Sequence, residues 1–139
     1  MKKTATLAFD YGTQKIGVAI GTLSRRSAEP LTILSARDGI PQWHQIEALI
    51  KEWQPAELLV GLPLNMDGSA SELSRRAEKF SRRLEGRFGL KTHTFDERLS
   101  SREARETASL MGKEANEPID DIAASLILRG WFDEQDDVS

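Results

Sequence analysis

The order of apolar segments predicts a mixed α/β sheet with helices on both faces. Three observations carry that prediction. Short apolar runs crowd the first quarter of the chain, at Ala5–Asp10, Ile16–Ile20 and Leu31–Leu34. From Trp43 onward, helical and strand-like periods alternate. Two later strand-like runs, Leu58–Gly61 and Leu90–Phe95, each follow a helical segment, the connection that parallel strands require. The expected sheet therefore has five strands: a three-stranded N-terminal meander plus two parallel strands.

Each element has its own signal. Ala5–Asp10 is apolar and almost continuous, as a strand buried on both faces is. Tyr11-Gly12-Thr13-Gln14 supplies a turn, and Ile16–Ile20 returns as the second strand of a hairpin. Leu31–Leu34 follows Pro30 as a short third strand. Trp43, Ile46, Leu49, Ile50 and Trp53 recur at helical spacing, so both tryptophans read as core packing, and Pro55 ends the run. Asp67-Gly68 marks a turn after the Leu58–Gly61 strand. Ser69, with Glu72 three residues on, has the form of a capping box and nominates Ser69 as the start of a long helix. That helix carries Leu73, Ala77, Phe80, Leu84 and Phe88 on one face, with Gly86 and Gly89 near its end. Ser100 with Glu103 is a second capping box and predicts a helix to about Met111. Gly112–Glu117 reads as a loop, Pro118 suits the first turn of a last helix, and that helix covers Ile119–Trp131. Residues 133–139 form an acidic tail, expected to fray.

Bulk properties exclude several classes. A chain of 139 residues suits one domain, 1–139, with a real core. At 39% hydrophobic and 29% charged residues it is globular in composition. Cysteine is absent, which rules out a disulfide framework and zinc sites built on thiolates. His44 and His93 are solitary and read as surface or half-buried residues. Met1-Lys2-Lys3 leads into an apolar run that stops at Asp10, unlike a secretion signal. No stretch approaches the roughly 20 apolar residues of a membrane span. The cytoplasm is the expected location. A net charge of −3 speaks mildly against nucleic acid as a partner, but the charge is unevenly distributed.

Acidic residues stand where apolar elements begin or end: Asp10, Glu97 and Asp120. Hard cations such as Mg²⁺ prefer oxygen ligands and bind through few carboxylates, so three converging acids would suit a divalent metal. Asp10 and Glu97 both close strands, and ligands gather at the carboxyl ends of strands in such sheets. On the last helix, Asp120 projects with Ala124, Ile127 and Trp131, an otherwise apolar stripe. An ionised acid there is costly unless paired or metal-bound, which makes Asp120 the ligand candidate. Asp121 projects nearer Ser125, Leu128 and Phe132, with Arg129 close by; it reads as a surface acid complementing the helix dipole. Asp96 reads as a structural cap or ion-pair partner.

Four segments bring a family resemblance: Asp10–Ala19 (DYGTQKIGVA), Val60–Ser69 (VGLPLNMDGS), Asp96–Ser100 (DERLS) and Asp120–Ala124 (DDIAA). In this order and spacing they resemble the YqgF family, described as Holliday junction resolvase-like proteins and as pre-16S rRNA nucleases. The resemblance covers nearly the whole chain and implies an RNase H-like fold. It places the family's acidic triad, catalytic and metal-holding, on Asp10, Glu97 and Asp120. It implies one or two Mg²⁺ or Mn²⁺ ions that activate water for in-line attack on a phosphodiester. Lys15, Asn65 and Arg98 match family positions near that site and are implied phosphate contacts; Lys15 and Arg98 equally fit solvated surface charges. The chain departs from the family pattern at Lys113–Pro118, acidic where a basic glycine-containing loop is usual, and at Gln14, where a basic residue is frequent.

Arg75, Arg76, Lys79, Arg82 and Arg83 recur on one side of the long helix. Such a stripe can follow a phosphate backbone, and it equally fits the solvated face of an amphipathic helix. The expected activity is a metal-dependent nuclease acting on structured RNA, the 5′ end of pre-16S rRNA foremost. The alternatives are a resolvase of DNA four-way junctions, or a non-catalytic RNA- or transcription-associated binding module. The expected state is a monomer or weak dimer.

Overall fold

A computed structural model describes residues 5–25, 27–99 and 120–136. Six strands form one sheet: β1 (Ala5–Asp10), β2 (Lys15–Thr22), β3 (Ser27–Arg37), β4 (Ile40–Pro41), β5 (Glu57–Leu62) and β6 (Lys91–Asp96), in the spatial order β4-β3-β2-β1-β5-β6. The first four strands are an antiparallel meander, and β5 and β6 join β1 in parallel. Among the described residues three helices accompany them: α1 (Trp43–Trp53), α2 (Glu72–Phe88) and α3 (Asp120–Asp136). Among the described residues no helix is long and apolar enough to cross a membrane.

Strand alternation sorts the core into two layers. Leu7, Phe9, Ile16, Val18, Leu58 and Val60 face Ile46 of α1 and Ala77, Phe80 and Leu84 of α2. Ala8, Ala19, Ala28, Leu59 and Phe95 face Ala124, Ile127, Leu128, Trp131 and Phe132 of α3. Small residues dominate the sheet's second face, and they let α3 lie close against it.

The sheet has six strands rather than five. The extra one follows a two-residue turn at Asp38-Gly39, where both residues take positive φ (49° and 80°) and Arg37 pairs with Ile40. Asp-Gly is a favoured hairpin turn for that reason, and it was the available signal for β4. The third strand also runs over eleven residues, longer than Leu31–Leu34.

Helix α2 starts at Glu72, with Ser71 as its N-cap instead of Ser69. The Ser69 hydroxyl is committed elsewhere: it donates to Asp67 Oδ1 (2.6 Å) and accepts from Asn65 Nδ2 (3.0 Å). Ser71 Oγ accepts from the Ser74 amide (2.9 Å), while Ser74 Oγ accepts from the Ser71 amide (2.8 Å). The box thus closes with serine at the third helical position, where the usual pattern has Glu or Gln.

Trp43 does pack, stacking on Phe80 at 5.9 Å between ring centroids. Trp53 does not: it is 39% exposed at the last turn of α1. Asp121 differs from expectation too, because Ser125, Leu128 and Phe132 on its stripe are buried. Its Oδ1 accepts the Ile122 amide at 2.9 Å. The acidic segment from Asp133 is helical as far as Asp136. The helix expected over Ser100–Met111, the loop Gly112–Glu117 with its acidic stretch to Pro118, and residues 137–139 lie outside the described residues.

Candidate active site

Asp10 ends β1 on the face that α3 covers, since Ala8 points into the α3 layer and Leu7 and Phe9 point away from it. Its antiparallel partner on β2 is Gly17. On the other side Phe9 pairs with Val60, so one further step sets Asp10 beside Gly61 of β5. These two glycines shape the site. A Cβ on Gly17 would fall onto the backbone carbonyl of Asp120, so glycine is what lets the N-terminus of α3 rest on β2. A Cβ on Gly61 would lie 2.6 Å from Ile127 Cδ1 and 3.0 Å from Glu97 Cγ.

Glu97 follows β6 and opens a 3₁₀ turn, Glu97–Leu99. Its side chain folds over Gly61, and its Oε2 is buried. Asp120 is half-buried at the first turn of α3. The acids thus come from four neighbouring columns of one face: Asp120 over β2, Asp10 on β1, and Glu97 from the end of β6 leaning over β5. Gly17 and Gly61 stand two strand spacings apart, about 10 Å. Residues more than a hundred positions apart in the chain are brought to one face and one edge of the sheet. As the side chains stand, no three or more Asp, Glu or His residues among those described are close enough to hold a metal ion. The donor chemistry does fit one, being entirely carboxylate oxygen, the ligand type of Mg²⁺ and Mn²⁺.

Arg98, exposed beside Glu97, is bonded on two sides. Its Nε and Nη2 grip Asp96 at 3.0 and 2.6 Å, and Nη1 donates to the Met66 carbonyl at 3.0 Å. The guanidinium therefore ties the turn that carries Glu97 to the loop after β5. Hydrogen bonding to Arg98 holds the Asp96 carboxyl below its ordinary range, and the same bonds raise Arg98. Asp96 is thus the structural partner its position implied. Asn65 is exposed in the same loop, bonded to Ser69 and to the Ala70 carbonyl. Lys15 is exposed at the start of β2, on the same edge as the acids.

The basic stripe lies elsewhere. Helix α2 packs on the sheet face opposite α3, so Arg75, Arg76, Lys79, Arg82 and Arg83 run away from the acids behind the sheet. The N-terminus of α2 adjoins the edge that bears Asp10, because its cap Ser71 donates to the carbonyl of Pro63, the residue after β5. Sequence reasoning missed the two glycines and the bond from Arg98 to Met66. A glycine inside an apolar strand does signal close approach of another backbone.

Solved structures share this architecture. RuvC of T. thermophilus, in complex with a Holliday junction substrate, matches with a TM-score of 0.58 at 14% identity over 95% of both chains. The fowlpox virus Holliday junction resolvase matches with a TM-score of 0.54 at 14% identity, over 94% of this chain and 99% of that one. At such identities the likeness is one of fold, and it defines the class: an RNase H-like α/β fold of the kind resolvases use.

The family is narrower. The family model described as "RuvX: Holliday junction resolvase" matches residues 4–134, and the chain belongs to that family. Among its relatives, a protein of Pseudomonas fluorescens named "Putative pre-16S rRNA nuclease" is 52% identical over 132 residues, covering 92% of this chain and 91% of the relative. One of the same name from Saccharophagus degradans is 51% identical over 135 residues, covering 95% of each.

Proposed function

We propose that this protein is a divalent-metal-dependent nuclease that hydrolyses phosphodiester bonds in structured RNA, trimming the 5′ end of pre-16S rRNA in the bacterial cytoplasm. One observation carries the reading: Asp10, Glu97 and Asp120, remote in sequence, share one face at one edge of the sheet. The names of relatives at about half identity support the substrate.

Asp10, Glu97 and Asp120 would hold Mg²⁺ or Mn²⁺. Such an ion, when bound, supplies a more acidic water and offsets charge on the phosphate. The chain's own residues do the rest. Asp10 is fixed in a paired strand, and Glu97 is held by a turn anchored through Arg98 and Asp96. Both can therefore present oxygens with little further ordering. Lys15 and Asn65, on the same edge, would meet phosphates flanking the bond that is cut. A four-way DNA junction is the second reading, favoured by the family's description as a resolvase. A monomer suits RNA trimming, whereas paired junction cleavage needs two copies.

The test sets a pre-16S 5′-leader RNA beside a four-way junction, each with Mg²⁺ or Mn²⁺. Cleavage of the RNA, lost in both Asp10→Asn and Glu97→Gln, is the expected result. The double variant should be no worse than either single one, because groups that act as a unit are not additive. Full activity in Asp10→Asn would refute the site. Binding without cleavage by the unmutated protein would make it a non-catalytic module.

A further inference from the structure

Behind the acids, on the opposite face of the sheet, α2 and the β3–β4 turn enclose a cleft of about 220 Å³. Tyr11 and Phe80 form its buried floor. Arg76, Lys79 and Arg83 line it from α2, at spacings of three and seven residues that place them on one side of the helix. Arg76 is committed to the Asp38 carboxylate at 3.1 Å and to the Asp38 carbonyl. That pairing neutralises the acid in the lining. Lys79 and Arg83 have no ion pair among the described residues.

We propose that this cleft binds a phosphodiester segment of the nucleic-acid strand, away from the bond that is cut. The inference rests on reading the chain as a nuclease. Two unpaired cations held side by side repel one another, and a bound anion relieves that cost. Their setting is concave, so they are not simply the convex solvated side of a helix. No aromatic face is offered to a base: Trp43 is stacked on Phe80 and has Arg87 over its ring at 4.2 Å, and the Tyr11 hydroxyl donates to the Gly39 carbonyl at 2.9 Å. Recognition is therefore through phosphate and insensitive to sequence. The route is short. Tyr11 follows Asp10 and points to the other face, so the cleft and the acids stand back to back across the end of β1. A strand leaving the acids over this edge passes Arg76 at the Asp38-Gly39 turn, then Lys79 and Arg83.

The test uses the full chain with Asp10→Asn to block cleavage, and labelled pre-16S leader RNA read by fluorescence anisotropy over a salt series. Adding Lys79→Ala with Arg83→Ala should lower the steepness of log affinity against log salt by about 1.4 to 1.8, two phosphate contacts' worth. Ile40→Glu puts a carboxylate at the mouth of the cleft without touching α2, and should weaken binding in the same direction. Lys51→Ala with Lys91→Ala changes the net charge equally outside the cleft and should leave the salt dependence unchanged. Equal slopes and affinities for the cleft pair and the Lys51/Lys91 pair would overturn the proposal, as would failure of the parent protein to bind the RNA. If the protein with native Asp10 cleaves the leader while the cleft variants bind like their parent, only the cleft is refuted. If it binds through the cleft but never cleaves, only the nuclease reading is.

Discussion

Gly17 of β2 lies against the backbone carbonyl of Asp120, and the first turn of α3 rests on β2 at that point. The contact is between main chains, so neither side can yield by turning a side chain. Gly17→Ala must therefore lift the N-terminus of α3 and carry Asp120 away from Asp10. Overpacking of this kind costs about 1–3 kcal/mol. A displacement near 1 Å can cost about a hundredfold in rate. Urea unfolding and leader-RNA cleavage should both register the change. Gly86→Ala on α2 is the control, because a Cβ there meets nothing within 4 Å. It should leave activity intact and stabilise the helix by about 0.8–1 kcal/mol. Unchanged cleavage in Gly17→Ala would mean that the position of Asp120 is not critical.

Asp120 and Asp121 are neighbours with opposite expectations. Asp120 stands over β2, the antiparallel partner of Asp10's strand, whereas Asp121 uses an oxygen on the amide of Ile122. Asp120→Asn should abolish cleavage while leaving RNA binding and thermal stability near the parent values. Asp121→Asn retains an oxygen acceptor and should cleave within about threefold of the parent, a change worth under 1 kcal/mol. Chelation with EDTA should silence the parent and the Asp121 variant alike. Comparable losses in both variants would show that the helix terminus matters only through its total charge.

The five long strands and three helices among the described residues follow from apolar periodicity, because burial of whole faces is what creates them. The short β4 escaped since two residues have no periodicity; only the Asp38-Gly39 turn announced it. Asp10, Glu97 and Asp120 were legible individually, as acids at element ends. Their common face depends on Gly17 and Gly61, which act through what they lack. The contrast between Arg98 and Lys79 was not legible at all. Both are exposed cations in sequence terms, yet one is bound to Asp96 and Met66 and the other lines a cleft.

Ser69 and Ser71 illustrate the same limit and can be separated by experiment. Ser71→Ala removes the oxygen that accepts the Ser74 amide and donates to the Pro63 carbonyl at 2.6 Å. Loss of an N-cap costs about 1 kcal/mol, and the second bond should take the change toward the upper end of about 2 kcal/mol. Ser69→Ala breaks only exposed contacts with Asp67 and Asn65. Its effect should stay within about 0.5 kcal/mol. Equilibrium urea titrations decide the matter. A larger loss at Ser69 than at Ser71 would move the start of α2 back to where the Ser69–Glu72 pattern put it.

The bond between Asp96 and Arg98 should make the anchoring of Glu97 sensitive to acid. Hydrogen bonding to Arg98 lowers the folded-state value of Asp96 beneath that of the unfolded chain, which is about 3.9. A group depressed in this way contributes stability that is fully present above the unfolded value. That contribution is lost as pH falls through the folded one. Stability measured from about pH 6 down to pH 3 should therefore decline through this pair, and Asp96→Asn should show a shallower decline below about pH 4. Arg98→Lys keeps the charge but loses the forked contact to Asp96 and Met66. It should thus slow cleavage at pH 7 by about tenfold or more through looser placement of Glu97, with RNA affinity little changed. Were Arg98 instead a direct phosphate contact, Arg98→Ala would reduce the salt dependence of RNA binding by about one contact's share, 0.7 to 0.9, and Arg98→Lys would restore it.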